Sequence, residues 1–120
     1  MYVELSTGAN HNGPAWICYV SLSKSKRTKY FNGKALKQYS GTHSNHYDFE
    51  TGEEYWLSGI KKKGTNRHWA GKGKIQVDES AVEEFLEIKE LKELDINKYE
   101  IVHLNNEVDL KYFTKLENSN

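Results

Sequence analysis

Turn signals recur roughly every ten residues between alternating apolar segments as far as Val77, and that rhythm admits few folds. YVEL, at 2–5, alternates apolar and polar as a short strand does. STGANHNGP, at 6–14, holds Gly, Asn and the only proline and reads as a loop. AWICYVSL, at 15–22, is apolar on both alternating faces, which predicts one central strand covered on two sides. SKSKR predicts a charged hairpin turn with TKYF returning, and Asn32-Gly33 a type I′ turn, because both residues tolerate positive φ. KALKQY adds a strand, Thr51-Gly52 a turn, the stretch around Tyr55, Trp56 and Leu57 a strong strand, and a last one ends at Val77. Such a series makes a meander or a small barrel.

After Val77 the pattern changes. SAVE, at 80–83, has capping-box spacing, and Asp78, Glu79, Glu83 and Glu84 sit where a helix dipole favours anions. Ala81, Val82, Phe85, Ile88, Leu91 and Leu94 follow at helical intervals, predicting a helix over about 80–94. YEIVHL and EVDLKYF, separated by Asn105-Asn106, read as a closing hairpin. The expected fold is α+β: a twisted antiparallel sheet or small barrel, one amphipathic helix and a C-terminal hairpin. At 120 residues it reads as a single domain, 1–120, with a β-rich part (1–78) and a helix-and-hairpin part (79–120).

Net charge is zero but divided. Residues 1–75 carry twelve cations against five carboxylates, and residues 76–120 carry five against twelve. No acidic residue lies between Glu4 and Asp48, nor between Glu54 and Asp78. Such asymmetry points to nucleic acid or another anion as partner of the basic half, or to an acidic segment that meets a basic partner. No apolar run approaches the roughly 20 residues of a membrane span. MYVELSTG has neither the basic nor the apolar part of a secretory signal, and Cys18 is the only cysteine. A cytoplasmic, reduced protein with a buried thiol and no membrane contact is the expectation.

The candidate binding surface is where basic and aromatic residues interleave. Lys26, Arg27 and Lys29 precede Tyr30 and Phe31, and Lys61, Lys62, Arg67, His68, Trp69, Lys72 and Lys74 follow Tyr55 and Trp56. Cations along phosphates with rings against bases hold single-stranded nucleic acid, and a nucleotide needs the same chemistry at smaller scale. Arg67 and Lys72 are the expected phosphate contacts and Trp69 the stacking ring, whereas Trp16 and Trp56 are expected in the core. The glycines of GTNRHWAGKGK, at 64–74, lack P-loop and dinucleotide-fold spacing, so a bulged hairpin is the plainer reading. His11, Asn12 and Tyr55 are additional candidates. His43 and His46 have no ligand framework beside them, so neither a metal nor a cofactor is expected.

The motifs NHNGPAWI (10–17), YFNGKAL (30–36) and YDFETGEEYWLSGIKKKGTNRHWAG (47–71) resemble a family of small bacterial proteins of unknown function. Some members carry the label deoxyxylulose-phosphate synthase, which a chain this short without a Gly-Asp-Gly metal motif does not fit. The resemblance spans roughly the first 80 residues and supplies no catalytic residues. It draws attention to His11, Asn12, Trp16, Asn32, Tyr55, Trp56, Arg67, His68 and Trp69.

Three functions follow as expectations. The first is a non-enzymatic binding protein whose basic, aromatic surface takes nucleic acid or a nucleotide. The second is a protein-binding inhibitor or immunity-type module acting through Glu83, Glu84, Glu87, Glu90 and Glu93. The third, ranked below both, is a small enzyme on a nucleotide or phosphodiester, built around His11, His68 and nearby carboxylates; no catalytic set is identifiable.

Overall fold

The computed structural model describes residues 1–6, 14–62 and 73–118. Its strands are β1 (Tyr2–Leu5), β2 (Ala15–Ile17), β3 (Ser21–Leu22), β4 (Thr28–Phe31), β5 (Lys34–Gln38), β6 (His46–Asp48), β7 (Glu54–Ser58), β8 (Ile75–Asp78) and β9 (Tyr99–Val102). Two α-helices, α1 (Val82–Lys89) and α2 (Leu110–Asn118), accompany them. All nine strands join one sheet in the order β3-β4-β5-β6-β7-β1-β2-β8-β9.

That order forces curvature. Six strand spacings of about 4.8 Å separate β2 from β3 along the sheet, about 29 Å if it were flat. Yet Ile17 and Ser21 are only four Cα steps apart, at most ~15 Å. The sheet therefore curls into an open half-barrel, and residues 18–20 cross between its approaching sides. This corrects the expectation for AWICYVSL. It forms two short strands, not one, with Tyr19 and Leu22 half exposed. The break is anchored where the Cys18 amide donates to the Met1 carbonyl at 3.0 Å and the N-terminal ammonium donates to the Cys18 carbonyl at 2.6 Å.

The turns fall as their residues require. Asn32 and Gly33 adopt φ of 46° and 75° between β4 and β5, and Gly52 adopts 75° between β6 and β7. The sheet is not wholly antiparallel: β8 runs parallel to both β2 and β9. Because α1 lies between β8 and β9, the chain returns to the same end of the sheet before pairing, which makes the two strands parallel.

Three apolar layers result. Val3, Cys18, Phe31, Leu36, Tyr55 and Leu57 fill the concave inside. Tyr2, Ala15, Ile17, Ile75 and Val77 face outward and are covered by Phe85 of α1. Tyr30 and Ala35 face outward elsewhere and are covered by Phe113 of α2, whose ring stacks on Tyr30 at 5.4 Å.

The C-terminal part departs most from expectation. α1 is shorter than 80–94: a 3-10 turn, Glu79–Ala81, precedes it, and it stops where Glu90 turns left-handed at φ 56°. Ser80 closes no capping box. Its hydroxyl is turned instead to Asp78 Oδ2, to which it donates at 2.5 Å, and among the described residues no side chain caps the 3-10 turn or α1. The expected hairpin is absent: β9 pairs with β8, and EVDLKYF leads into α2. Asp109 begins that helix by accepting the Tyr112 amide at 3.1 Å, and Phe113 and Leu116 then face the sheet at helical spacing.

Candidate functional site

Strand parity decides which side chains share the inside of the half-barrel. Lys29 lies opposite Leu36 and Leu36 opposite Asp48; Gln38 lies opposite His46 and His46 opposite Tyr55. Leu36 and Tyr55 belong to the inner core, so Lys29, Gln38, His46 and Asp48 share that face. The depth of the half-barrel is apolar and one part of its rim is polar.

At that rim three side chains interlock. Asn45 clasps Leu57 in both directions: Nδ2 donates to the Leu57 carbonyl at 2.8 Å and Oδ1 accepts the Leu57 amide at 2.8 Å. This fixes which end of the amide is which. His46 Nδ1, 2.8 Å from the same Oδ1, must therefore carry the proton, leaving Nε2 as an acceptor. Nε2 faces the Lys29 ammonium at 2.9 Å. His46 is buried, and burial followed by the Lys29 charge pushes its pKa down to about 4. Loss of solvent also lowers the pKa of Lys29. The imidazole is thus neutral near pH 7, and the ammonium has a lone pair for a neighbour where most partly buried cations have a carboxylate. Among the described residues Lys29 forms no ion pair.

The other expected site residues divide three ways. Lys26 and Arg27 are exposed in the β3–β4 turn, where Lys26 takes φ 64° and its amide donates to the Ser23 carbonyl at 3.0 Å. Arg27 shares the strand parity of Lys29, so this turn and the rim form one basic feature, with no ion pair at Lys24, Lys26 or Arg27 among the described residues. Lys61 and Lys62 belong elsewhere. Lys62 Nζ pairs with Glu90 at 3.1 Å, and Lys61 adds to the desolvation that lowers the pKa of Lys89 in α1. Lys74 is exposed just before β8. Tyr55 is 2% exposed and packs on Phe31, with burial, and the carboxylates of Glu53 and Asp48 after it, raising its pKa to about 12; it offers no face to a ligand. His11, Asn12, Arg67, His68, Trp69 and Lys72 lie outside the described residues.

Trp16 is half-buried with its Nε1 donating to Gln76 at 2.9 Å, whereas Trp56, expected in the core, is 38% exposed on the outer face. Glu83, Glu84, Glu87, Glu90 and Glu93 are all exposed, although Glu84 accepts the Tyr19 hydroxyl and Glu90 holds Lys62. Sequence reading missed Asn45 and gave His46 only a weak metal role. The available signal was parity, since His46 shares its face with Asp48 and, across the turn, with Tyr55. Compared with protein-family models, curated proteins and solved structures, the chain matched nothing in any of the three.

Proposed function

We propose that the protein is a non-enzymatic binding module that takes an anionic ligand, a nucleotide or a stretch of nucleic acid, by its phosphate at the Lys29 rim. The observation that carries this reading is the partly desolvated Lys29 ammonium, which meets a neutral imidazole and no carboxylate among the described residues. A cation taken out of water without a counter-ion is unfavourable unless one arrives, and a phosphate supplies it. Lys24, Lys26 and Arg27 continue the positive charge outward. His46 favours binding over acid–base chemistry, because Asn45 engages one ring nitrogen and Lys29 the other.

The test is a titration with nucleotides and short single strands across a salt series, with Lys29→Met beside the natural chain. Affinity should fall steeply with salt as counterions are released. The His46 imidazole should titrate at higher pH in the complex, once Lys29 is compensated. Absence of binding at low salt, or unchanged affinity in Lys29→Met, overturns the reading.

A second reading, a module for a basic protein partner, is favoured by a different observation. β9 ends the strand order, Ile96 before it and Ile101 within it are 77% and 54% exposed, and Asp95 and Glu79 lie beside it. Charge reversal at Glu83, Glu87 and Glu93 should abolish capture of such a partner and leave nucleotide affinity unchanged.

A further inference from the structure

Lys29 has a property that anion binding does not use: its amine is placed to act as a nucleophile. Among the described residues Nζ has one hydrogen-bond partner, His46 Nε2 at 2.9 Å, and Asn45 at Nδ1 keeps that nitrogen an acceptor. A neutral amine makes the same bond, giving one N–H to the ring while its own lone pair stays uncommitted. No carboxylate among the described residues holds the nitrogen in its charged form, and loss of solvent favours the neutral one. The side chain is half-buried rather than sealed.

The charges around it select the electrophile. Lys24, Lys26 and Arg27 lie in the adjoining turn, and among the described residues none of them forms an ion pair. Asp48, on the same face two strands from Lys29, is buried and accepts the Glu50 amide at 2.9 Å. A reagent with an anionic leaving group is concentrated at such a positive turn. Lys89 supplies the contrast. Burial, and Lys61 after it, lower its pKa too, but it stands on α1 with Glu83, Glu84 and Glu87 and directly before Glu90, which repel an anionic reagent.

We infer that Lys29 is an acylation site that reacts with acyl phosphates. Once the ammonium has given a proton to solvent, the amine lone pair attacks the carbonyl carbon and a C–N bond forms. The bond from that carbon to the phosphate oxygen breaks. The phosphate leaves with its electron pair and takes up the proton that the nitrogen sheds. The product is an uncharged amide, so acylation closes the rim to anions. That consequence rests on the anion-binding reading; the acylation itself does not.

The test treats the full chain with acetyl phosphate near neutral pH, at low and high salt, and follows each lysine by peptide mass spectrometry. An acetyl thioester without phosphate serves as the uncharged donor. Acetyl phosphate should modify Lys29 first, about tenfold ahead of Lys89, with a lead that shrinks in salt. Arg27→Gln should slow that reaction and leave the thioester rate at Lys29 unchanged. The inference falls if Lys29 reacts no sooner than Lys89 or the exposed Lys62, or if neither salt nor Arg27→Gln alters its rate with acetyl phosphate. Nucleotide titration of the acetylated chain then reads the rim. A loss of about tenfold in affinity supports its closure. Unchanged affinity with Lys29 acetylated overturns the closure and the anion-binding reading, and leaves the acylation site standing.

Discussion

Asp78 and Lys29 are both charged side chains drawn into the fold, and the chain treats them in opposite ways. Asp78 is 2% exposed and receives three donors: the Leu104 amide, Asn106 Nδ2 and the Ser80 hydroxyl. Burial works against its charge, but those donors, helped by His103, hold its pKa below the ordinary range. Lys29 receives no comparable compensation: burial lowers its pKa, and its neighbour is a neutral ring. A charge satisfied by its own chain is cement, tying β8 to the segment that leads to α2. A charge left without an opposite partner is the one that the proposed anionic ligand would answer. Where charges sit in the sequence does not separate these two roles; the groups around them do.

The largest effect should come from breaking the cement. Asp78→Ala strands the Leu104 amide and loosens residues 104–106, at a cost of about 3–5 kcal/mol in denaturant unfolding. A cost under about 1 kcal/mol would show that the carboxylate is incidental and would erase the contrast.

Acid should then resolve the two centres by pH. Above about pH 6.5 His46 is neutral in both folded and unfolded chains; between there and about 4 only the unfolded chain gains a proton. Stability therefore falls as pH drops through that window, by on the order of 3 kcal/mol in all. Asp78 has a folded pKa below its ordinary 3.8, so its contribution is present above that value and lost only at lower pH. Unfolding free energies measured across this range should show two successive losses, and His46→Gln should remove the first. A curve unchanged in His46→Gln would refute the buried, neutral imidazole.

Legibility in the sequence followed the locality of each interaction. The hairpin at Asn32-Gly33 and the strands around it were readable because turn chemistry and two-residue alternation act over a few residues. The break inside AWICYVSL was not, since it exists only because the sheet curls and residues 18–20 must cross its open side. Nor was α2: Asn105 and Asn106 look like turn residues, and their commitments to Asn32 and Asp78 span 73 and 28 positions. The capping box was likewise misread: Ser80 is turned to Asp78, and among the described residues no side chain caps the helix start. At the rim, Lys26, Arg27 and Lys29 were visible as a basic run, but the partner that gives Lys29 its character lies 17 residues away.

Lys29→Met reads the other side of the comparison and should cost the free protein little. Removing a partly desolvated, uncompensated cation leaves stability within about 1 kcal/mol of the natural chain, or raises it. The same change should weaken phosphate ligands about tenfold, the loss of one charge-assisted hydrogen bond. His46 should then titrate above 4, though short of its ordinary 6.5, because burial is the larger cause of its shift. An imidazole unmoved by the substitution would break the link between the two side chains.

The smallest effect sharpens the contrast within the basic residues themselves. Lys26→Asn keeps a residue that tolerates the left-handed turn at φ 64° while removing the charge. Lys62→Gln removes a charge that Glu90 already answers at 3.1 Å. Neither should alter stability by more than about 1 kcal/mol, since both positions are exposed. If the rim is where the ligand sits, Lys26→Asn lowers its affinity and the salt slope by about one counterion, whereas Lys62→Gln leaves both near the natural values. Equal losses from the two would instead spread the binding surface across both basic segments, and Lys29 would cease to be its centre.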